Sequence, residues 1–328
     1  MARALRPLLT LLVASVVSLG LCELLVRAFV VVRNVGPSFT VYDAVYGKRL
    51  RPSFETTRIA PEFTMRFSTN SLGFRGPEPD APPTGAILFL GDSFTMGYGV
   101  NDGEEFPALV RERLRAGAGA APPVVNAGMG DTGNGRSLKF LRAEAERFAP
   151  RLVVLQVHAN DFADNPAEGL FALGADGALV ELPPRPPGLV RIVGQLVEAV
   201  PGLSYSYLVG LAKQLSFERA AQATLGAAPA AGSGAPSDTD RLTLRLVVES
   251  VRVCRERGWP VLVLLTDVPE PQASWLRAEL AGAGAALLEI PTKQARPELY
   301  FELDGHWTAA GHTYTAERIL ERLPELSP

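Results

Sequence analysis

The stretch Ala86-Ile87-Leu88-Phe89-Leu90-Gly91-Asp92-Ser93-Phe94-Thr95 decides how this chain is read. Its apolar run stops abruptly at Gly91-Asp92-Ser93, and Gly97 and Gly99 follow closely. Such a run reads as a buried strand ending in a tight turn, with Ser93 at the mouth of the next helix. Open α/β folds bind ligands at the carboxyl edge of the sheet. The N–H groups of a helix start are free donors that favour a developing negative charge. Ser93 therefore suits a nucleophile; a serine that only caps the helix is the other reading.

The chain beyond this block alternates between strand and helix patterns. The spacing predicts a helix near Glu105–Ala116 with Pro107 in its first turn, a short strand at Pro123–Ala127 and a helix at Ser137–Phe148. Leu152–Val157 reads as a continuous apolar strand buried on both faces. A helix near Arg241–Arg257, a strand at Pro260–Leu265, a helix near Gln272–Ala281, a weak strand at Ala286–Ile290 and a final helix at Ala309–Leu323 complete the series. This alternation implies an α/β fold with a parallel sheet and helices on both faces. Asn165 to about Leu215 reads as an insertion with a hairpin around Gly174-Ala175-Asp176-Gly177; its apolar residues pack on the sheet or cover a cleft. Ala223 to Asp240, rich in Ala, Gly, Pro and Ser, reads as the least ordered internal segment. Upstream, Thr56 to Thr69 has room for a strand or two. Asn70-Ser71-Leu72-Gly73-Phe74-Arg75-Gly76 is turn-rich, and Pro77 to Pro83 is a proline-laden connector. Arg75 reads as a turn-stabilising residue, with an anion contact at the site as the alternative.

Composition narrows the function. The chain has 328 residues, 47% hydrophobic and 20% charged, which describes a globular protein. A net charge of −3 leaves no basic footprint for nucleic acid. There is no phosphate-loop motif, and no cofactor is expected. The two cysteines, Cys22 and Cys254, form no Cys-x-x-Cys pair, which argues against a cysteine-based metal or redox site. Only three histidines, His158, His306 and His312, are available to a mechanism that needs an imidazole.

At the N-terminus, Pro7 to Cys22 is uncharged and mostly Leu, Val, Ala and Ser, with Arg3 and Arg6 before it. Apolar character resumes through Val32, interrupted by Glu23 and Arg27, which are four apart and share a helix face. A span of roughly Pro7 to Val31 fits a membrane, and an uncleaved signal anchor is the expectation. A cleaved signal peptide and a buried soluble helix are the alternatives. A short N-terminal tail suits an anchor with the main domain outside the cytoplasm, in the periplasm or cell envelope.

Three further segments follow predicted strands and so share the edge of the sheet with Ser93. Asn126-Ala127-Gly128-Met129-Gly130, running on to Gly133 and Gly135, offers a backbone able to approach a ligand and present its N–H groups. In His158-Ala159-Asn160-Asp161, the Asn160 amide can donate into the cleft, while His158 reads as a packing or loop residue. In Asp304-Gly305-His306-Trp307, extended backbone would project residues i and i+2 to one side, so Asp304 could orient His306 as a base. His312 reads as structural.

Together these blocks resemble the SGNH (GDSL-type) hydrolase superfamily, over about Asn70 to Leu323. The Asn70–Gly76 motif is similar to one in its membrane-anchored bacterial members. The resemblance implies a flavodoxin-like three-layer α/β/α fold, with Ser93 as nucleophile, His306 as general base and Asp304 as its orienter. It implies an oxyanion hole of the Ser93 and Gly128 N–H groups and the Asn160 amide, and no metal or cofactor. The domain organisation expected is an anchor at 1–33, a leader at 34–85 and a hydrolase domain at 86–328 with an insertion at about 165–240. One residue between Asp304 and His306, followed by Trp307, resembles the branch with polysaccharide O-acetyltransferases. The expected function is thus a serine esterase acting on oxygen esters, small-molecule or glycan. An envelope polysaccharide O-acetyltransferase and a non-catalytic glycan-binding protein are the alternatives.

Overall fold

Alternate residues of the central strands point to opposite sides, and both sides are apolar. Along β5 (Ile87–Leu90), Ile87 and Phe89 enter one apolar cluster while Leu88 and Leu90 enter another. β7 (Leu152–His158) and β10 (Val261–Thr266) repeat the division. Leu152, Val154, Leu262 and Leu264 lie on one side; Val153, Leu155, Val157, Val263 and Leu265 lie on the other. A strand that is apolar at every position is one covered on both faces.

The computed structural model describes residues 2–79, 81–117, 121–186, 188, 194, 196–225 and 235–326. The chain forms two compact units. One comprises Met1–Ser38, Thr57–Phe63 and Gly188–Ala228; the other comprises Phe39–Thr56, Thr64–Pro187 and Pro229–Pro328.

The second unit holds the sheet. Five parallel strands stand in the order β11 (Ala286–Ile290), β10, β7, β5, β6 (Val124–Asn126). The chain leaves β5 for β6 on one side and then crosses to β7 on the other. The switch point of the sheet, where such folds bind ligands, therefore lies at the carboxyl ends of β5 and β7. α3 (Phe106–Ala116) and α9 (Ala309–Leu326) pack on each other over one face, bringing Phe106, Val110, Ala316 and Ile319. α4 (Asn134–Ala143), α5 (Asp161–Glu168), α7 (Asp238–Glu256) and α8 (Gln272–Ala283) cover the opposite face, bringing Leu138, Phe140, Leu246, Val247 and Leu276. This is the expected three-layer α/β/α fold.

Local boundaries differ from the sequence reading in places with clear causes. α4 begins at Asn134, three residues before the expected Ser137, and yields at Glu144 to a 3₁₀ turn, Ala145–Phe148. α7 begins at Asp238, because Ser237 and Asp240 form a reciprocal capping box. The expected hairpin is present as β8 (Phe171–Leu173) and β9 (Leu179–Glu181). A second hairpin, β1 (Thr40–Asp43) with β2 (Gly47–Leu50), was not expected. Upstream of the sheet, β3 (Glu55–Ile59) and β4 (Thr64–Ser68) occupy the segment read as a strand or two. Of the segment read as least ordered, residues 226–234 lie outside the described residues.

In the first unit, α1 (Ala2–Phe29) contains Leu9–Phe29, 21 residues of mean hydropathy 2.3. At 1.5 Å per residue that is about 32 Å, enough to cross a membrane. Its large apolar side chains, Leu12, Val16, Leu19 and Leu24 among them, are exposed. Glu23 pairs with Arg27 at 2.7 Å, as the spacing predicted. Glu23 also accepts hydrogen bonds from Ser206 Oγ at 2.7 Å and from the Tyr207 and Leu208 N–H groups at 2.9 and 3.0 Å. It thereby caps α6 (Tyr207–Leu225), whose first N–H groups have no partners within the helix.

Candidate active site

The turn after β5 is built so that Ser93 has no choice of place. Asp92, not Ser93, caps α2 (Ser93–Met96): its Oδ1 accepts from the Phe94 N–H at 2.8 Å. The serine hydroxyl is thus left free of the capping role. Gly97 ends the helix at φ +87°, a left-handed conformation that glycine adopts at no steric cost. A Cβ on Gly91 would collide with Gln156 Oε1 and Thr95 Oγ1. Gln156 interrupts the apolar run of β7, which the sequence reading took as continuous. Its Oε1 accepts from the Asp92 N–H at 3.0 Å and from Thr95 Oγ1 at 3.1 Å, tying the serine turn to the neighbouring strand.

His306 comes to Ser93 from a position 213 residues away in the chain. Its Nε2 lies 2.7 Å from Ser93 Oγ, and its Nδ1 lies 2.5 Å from Asp304 Oδ1. The Asp304–His306 pairing was expected from extended backbone, but it is made by a turn. Gly305 sits at φ +87° and its N–H donates to Phe301 O at 3.2 Å. A single intervening residue brings both side chains together only because that residue bends the chain. Rings of Phe94 and Tyr98 lie 4.9 Å from the His306 ring, centroid to centroid. Trp307, fully buried, packs edge-on to Phe94 at 4.9 Å and holds the loop down.

Gly128 and Asn160 follow β6 and β7, the two strands that flank β5. A Cβ on Gly128 would collide with Met96 N, so only glycine lets this loop lie against α2. A Cβ on Gly130 would stand 3.6 Å from Ser93 Cβ. The Gly128 N–H donates to Asn126 Oδ1 at 3.1 Å. The glycine-rich loop presents less free backbone than the sequence suggested. Gly133 N–H donates to Glu168 Oε2 at 2.9 Å, and Gly135, inside α4, donates to Asn165 Oδ1 at 3.0 Å. Asn160 stands at the start of α5, yet its side chain makes no capping bond. Its Oδ1 lies 2.6 Å from His158 Nδ1.

Three carboxyls of α5 are perturbed by their surroundings. Burial, reinforced by the nearby Asp92, pushes the Asp161 carboxyl well up, although it accepts the His158 N–H at 2.8 Å. Burial likewise pushes Asp164 and Glu168 up to about 7. His312 is buried, accepts the Phe106 N–H at Nδ1, and is pushed down to about 3 by desolvation. It stays neutral and packs between Phe106 and Trp307. Arg75 is buried and donates to backbone carbonyls of α2 and of the loop after it. Among the described residues, no group of three or more His, Cys, Asp or Glu side chains is arranged to hold a metal ion.

Gln156, Phe94 and Tyr98 were not singled out from the sequence. A lone glutamine in an otherwise apolar strand was the available signal for the first. The rings carry none, because an aromatic residue near a serine turn reads equally well as core.

The chain is similar to several solved structures. TesA is 18% identical, covering 74% of this chain and 99% of that one, with a TM-score of 0.45. The psychrotrophic esterase EstA from Pseudoalteromonas sp. is 12% identical, covering 74% and 97%, with a TM-score of 0.44. A putative acylhydrolase from Bacteroides fragilis is 14% identical, covering 77% and 92%, with a TM-score of 0.41. No curated protein matches the chain. The model of the GDSL-like Lipase/Acylhydrolase family matches residues 89–314, more than half of the chain. From the strand that leads into Ser93 to the helix that follows His306, this chain belongs to the GDSL-like lipase/acylhydrolase family, and its class is carboxylic ester hydrolase.

Proposed function

We propose that the chain is a membrane-anchored serine esterase that cleaves oxygen esters through an acyl-Ser93 intermediate. The observation that carries this reading is the continuous hydrogen-bonded chain from Ser93 Oγ through both nitrogens of His306 to Asp304, at 2.7 and 2.5 Å. With the Nδ1 proton directed at Asp304, Nε2 offers a lone pair to the serine hydroxyl. A free hydroxyl is a poor nucleophile at neutral pH and needs such a base. Ser93 Oγ attacks the ester carbonyl carbon while its proton passes to Nε2. The tetrahedral intermediate expels the alcohol, which takes that proton. Water, giving a proton to Nε2, then attacks the acyl carbon; the second tetrahedral intermediate releases the acid as the Nε2 proton passes back to Ser93 Oγ.

The developing oxyanion would be met by the Ser93 N–H at the start of α2, the Gly128 N–H and the Asn160 amide. Gly128 would release or share its bond to Asn126 Oδ1 as the charge forms. Each such donor is worth about 3–4 kcal/mol of barrier. The hydrolase is assigned to residues 86–328 and the anchor to residues 1–33, with the catalytic unit outside the cytoplasm. The exposed apolar surface of Leu9–Phe29 supports the anchor. Acetylated glycans are the substrate class to test first.

Purified protein should turn over a short-chain p-nitrophenyl ester. Ser93→Ala and His306→Ala should each lower kcat by at least about 10³-fold with the fold retained. A fluorophosphonate should label Ser93. Unchanged turnover in either variant would remove the assignment. Partition of the acyl group onto added glycan instead of water would move the reading to acyl transfer.

A further inference from the structure

His158 lies beside the site and has no part in the mechanism above. We propose that His158 is a positioning residue whose Nδ1–H holds the carbonyl oxygen of the Asn160 amide, so that the NH₂ end faces the reacting ester. This rests on the reading of Asn160 as an oxyanion donor.

An amide side chain can be turned over at little cost, and only one orientation serves. With NH₂ toward the cleft, Asn160 donates to the oxyanion. Turned over, it would present a carbonyl oxygen to a developing negative charge. Asn160 caps nothing with its side chain, so the start of α5 does not fix the amide. The 2.6 Å contact between His158 Nδ1 and Asn160 Oδ1 does. Two acceptors do not meet at that distance, so Nδ1 carries the proton. A bare Nδ1 would accept instead from the Asn160 backbone N–H, 3.2 Å away, and would draw the NH₂ end of the side chain toward itself. The tautomer of His158 therefore selects the face that Asn160 shows.

Two features favour the Nδ1–H form. Asp92 Oδ2 lies 3.7 Å from Nδ1, is buried, and has no hydrogen-bond partner among the described residues. A carboxyl oxygen in that place favours an N–H over a lone pair. The ring itself is held. Phe94 packs against it at 4.4 Å between centroids, and the His158 backbone N–H, donating to Asp161 Oδ2 at 2.8 Å, fixes the main chain that carries it. Asp92, which caps the serine helix, thus also faces the residue that orients the amide. The sequence reading that treated His158 as a packing residue accounts for the ring and not for Nδ1.

The test uses the full chain in detergent and p-nitrophenyl acetate. His158→Asn places an amide N–H near the position of Nδ1; His158→Gln places one near Nε2; His158→Leu has none. The expected result is a kcat about tenfold or more lower for H158L and H158Q, with KM little changed, and substantial recovery in H158N. Asn160→Ala should lower kcat about 10²-fold, and H158L added to it should lower it no further, because both variants remove one function. If H158L fails to fold, the contrast between H158N and H158Q decides. Equal kcat in H158N and H158Q, wild-type kcat in H158L, or multiplicative losses in the double variant would overturn the proposal while leaving Asn160 in place. Wild-type kcat in N160A would instead remove the oxyanion reading, and this proposal with it.

Discussion

Replacing Arg75 by methionine tests how the loop after Ser93 is held. The Arg75 side chain is buried beside Phe67, with its guanidinium 5.0 Å from that ring. It donates to Met96 O at 3.1 Å, to Gly97 O, and to Val100 O at 2.8 Å. It also faces Asp102 at 3.1 Å and Glu105 at 3.7 Å. Its backbone bridges to Asn126, at the entry to the Gly128 loop. The cation thus ties the serine helix to the loop beyond it, while the backbone of the same residue reaches the glycine-rich loop. Methionine keeps much of the bulk and removes every donor. Each carbonyl left unpaired costs about 1–3 kcal/mol, and breaking a buried ion pair from one side costs about 3–5 kcal/mol. Water entering the vacated space offsets part of this. We expect a net loss of about 4 kcal/mol, or roughly 10 °C in Tm.

Glu105 supplies the control. Burial raises its pKa while the Arg75 charge pulls it down, so removing Arg75 raises it further. A carboxyl whose folded pKa is raised destabilises the fold as pH climbs from its unfolded value of about 4.3 toward the folded one. Arg75→Met should therefore lose stability more steeply with rising pH than wild type. Adding Glu105→Gln should recover part of the loss and flatten the slope. Trp259, Trp275 and Trp307 all lie in the catalytic unit, so tryptophan fluorescence during urea or thermal unfolding reports on it. A Tm within about 2 °C of wild type, or no recovery on adding Glu105→Gln, would refute the reasoning.

Gly128→Ala should lower both stability and turnover, because its Cβ would meet Met96 N, a backbone atom that cannot move aside without displacing Ser93; overpacking of this kind costs about 1–3 kcal/mol. Normal melting and activity in that variant would show that the loop has room. Asp164 and Glu168, pushed up to about 7 by burial, hold protons that the unfolded chain releases from about pH 4 upward. Stability should fall as pH rises toward 7 and level off above it, and Glu168→Gln should make that slope shallower in a Tm-against-pH series. Parallel slopes for variant and wild type would count against it.

Much of the architecture was legible in local chemistry. Strands buried on both faces announce themselves as apolar runs, interrupted in β7 by Gln156, and Gly91 and Gly97 mark the turn around Ser93. α7 starts ahead of its apolar rhythm, at Asp238, because Ser237 and Asp240 stand at capping-box spacing. β1 and β2 are short, only partly buried strands with little apolar alternation, so no periodicity announced them. α4 begins inside the glycine run because Gly135 packs against Phe171 and bonds to Asn165, partners on other elements.

The order of the chemical blocks along the chain was enough to name Ser93, His306, Asp304, Gly128 and Asn160 as candidates; Ser93, Gly128 and Asn160 each sit just past a strand, whereas Asp304 and His306 stand well beyond β11, after a 3₁₀ turn and before α9. Their spacing could not say how they meet. Extended backbone was expected at Asp304–His306, whereas a glycine turn closed by Phe301 makes the contact. Arg75 and His158 looked like local turn and packing residues, yet their partners, Met96 and Val100 for one, Asp92 for the other, are brought near by the parallel pairing of β5 with β6 and β7. Periodicity is written in neighbours along the chain, but a hydrogen bond between strands depends on register and crossover, and those follow from burying both faces of the whole sheet at once.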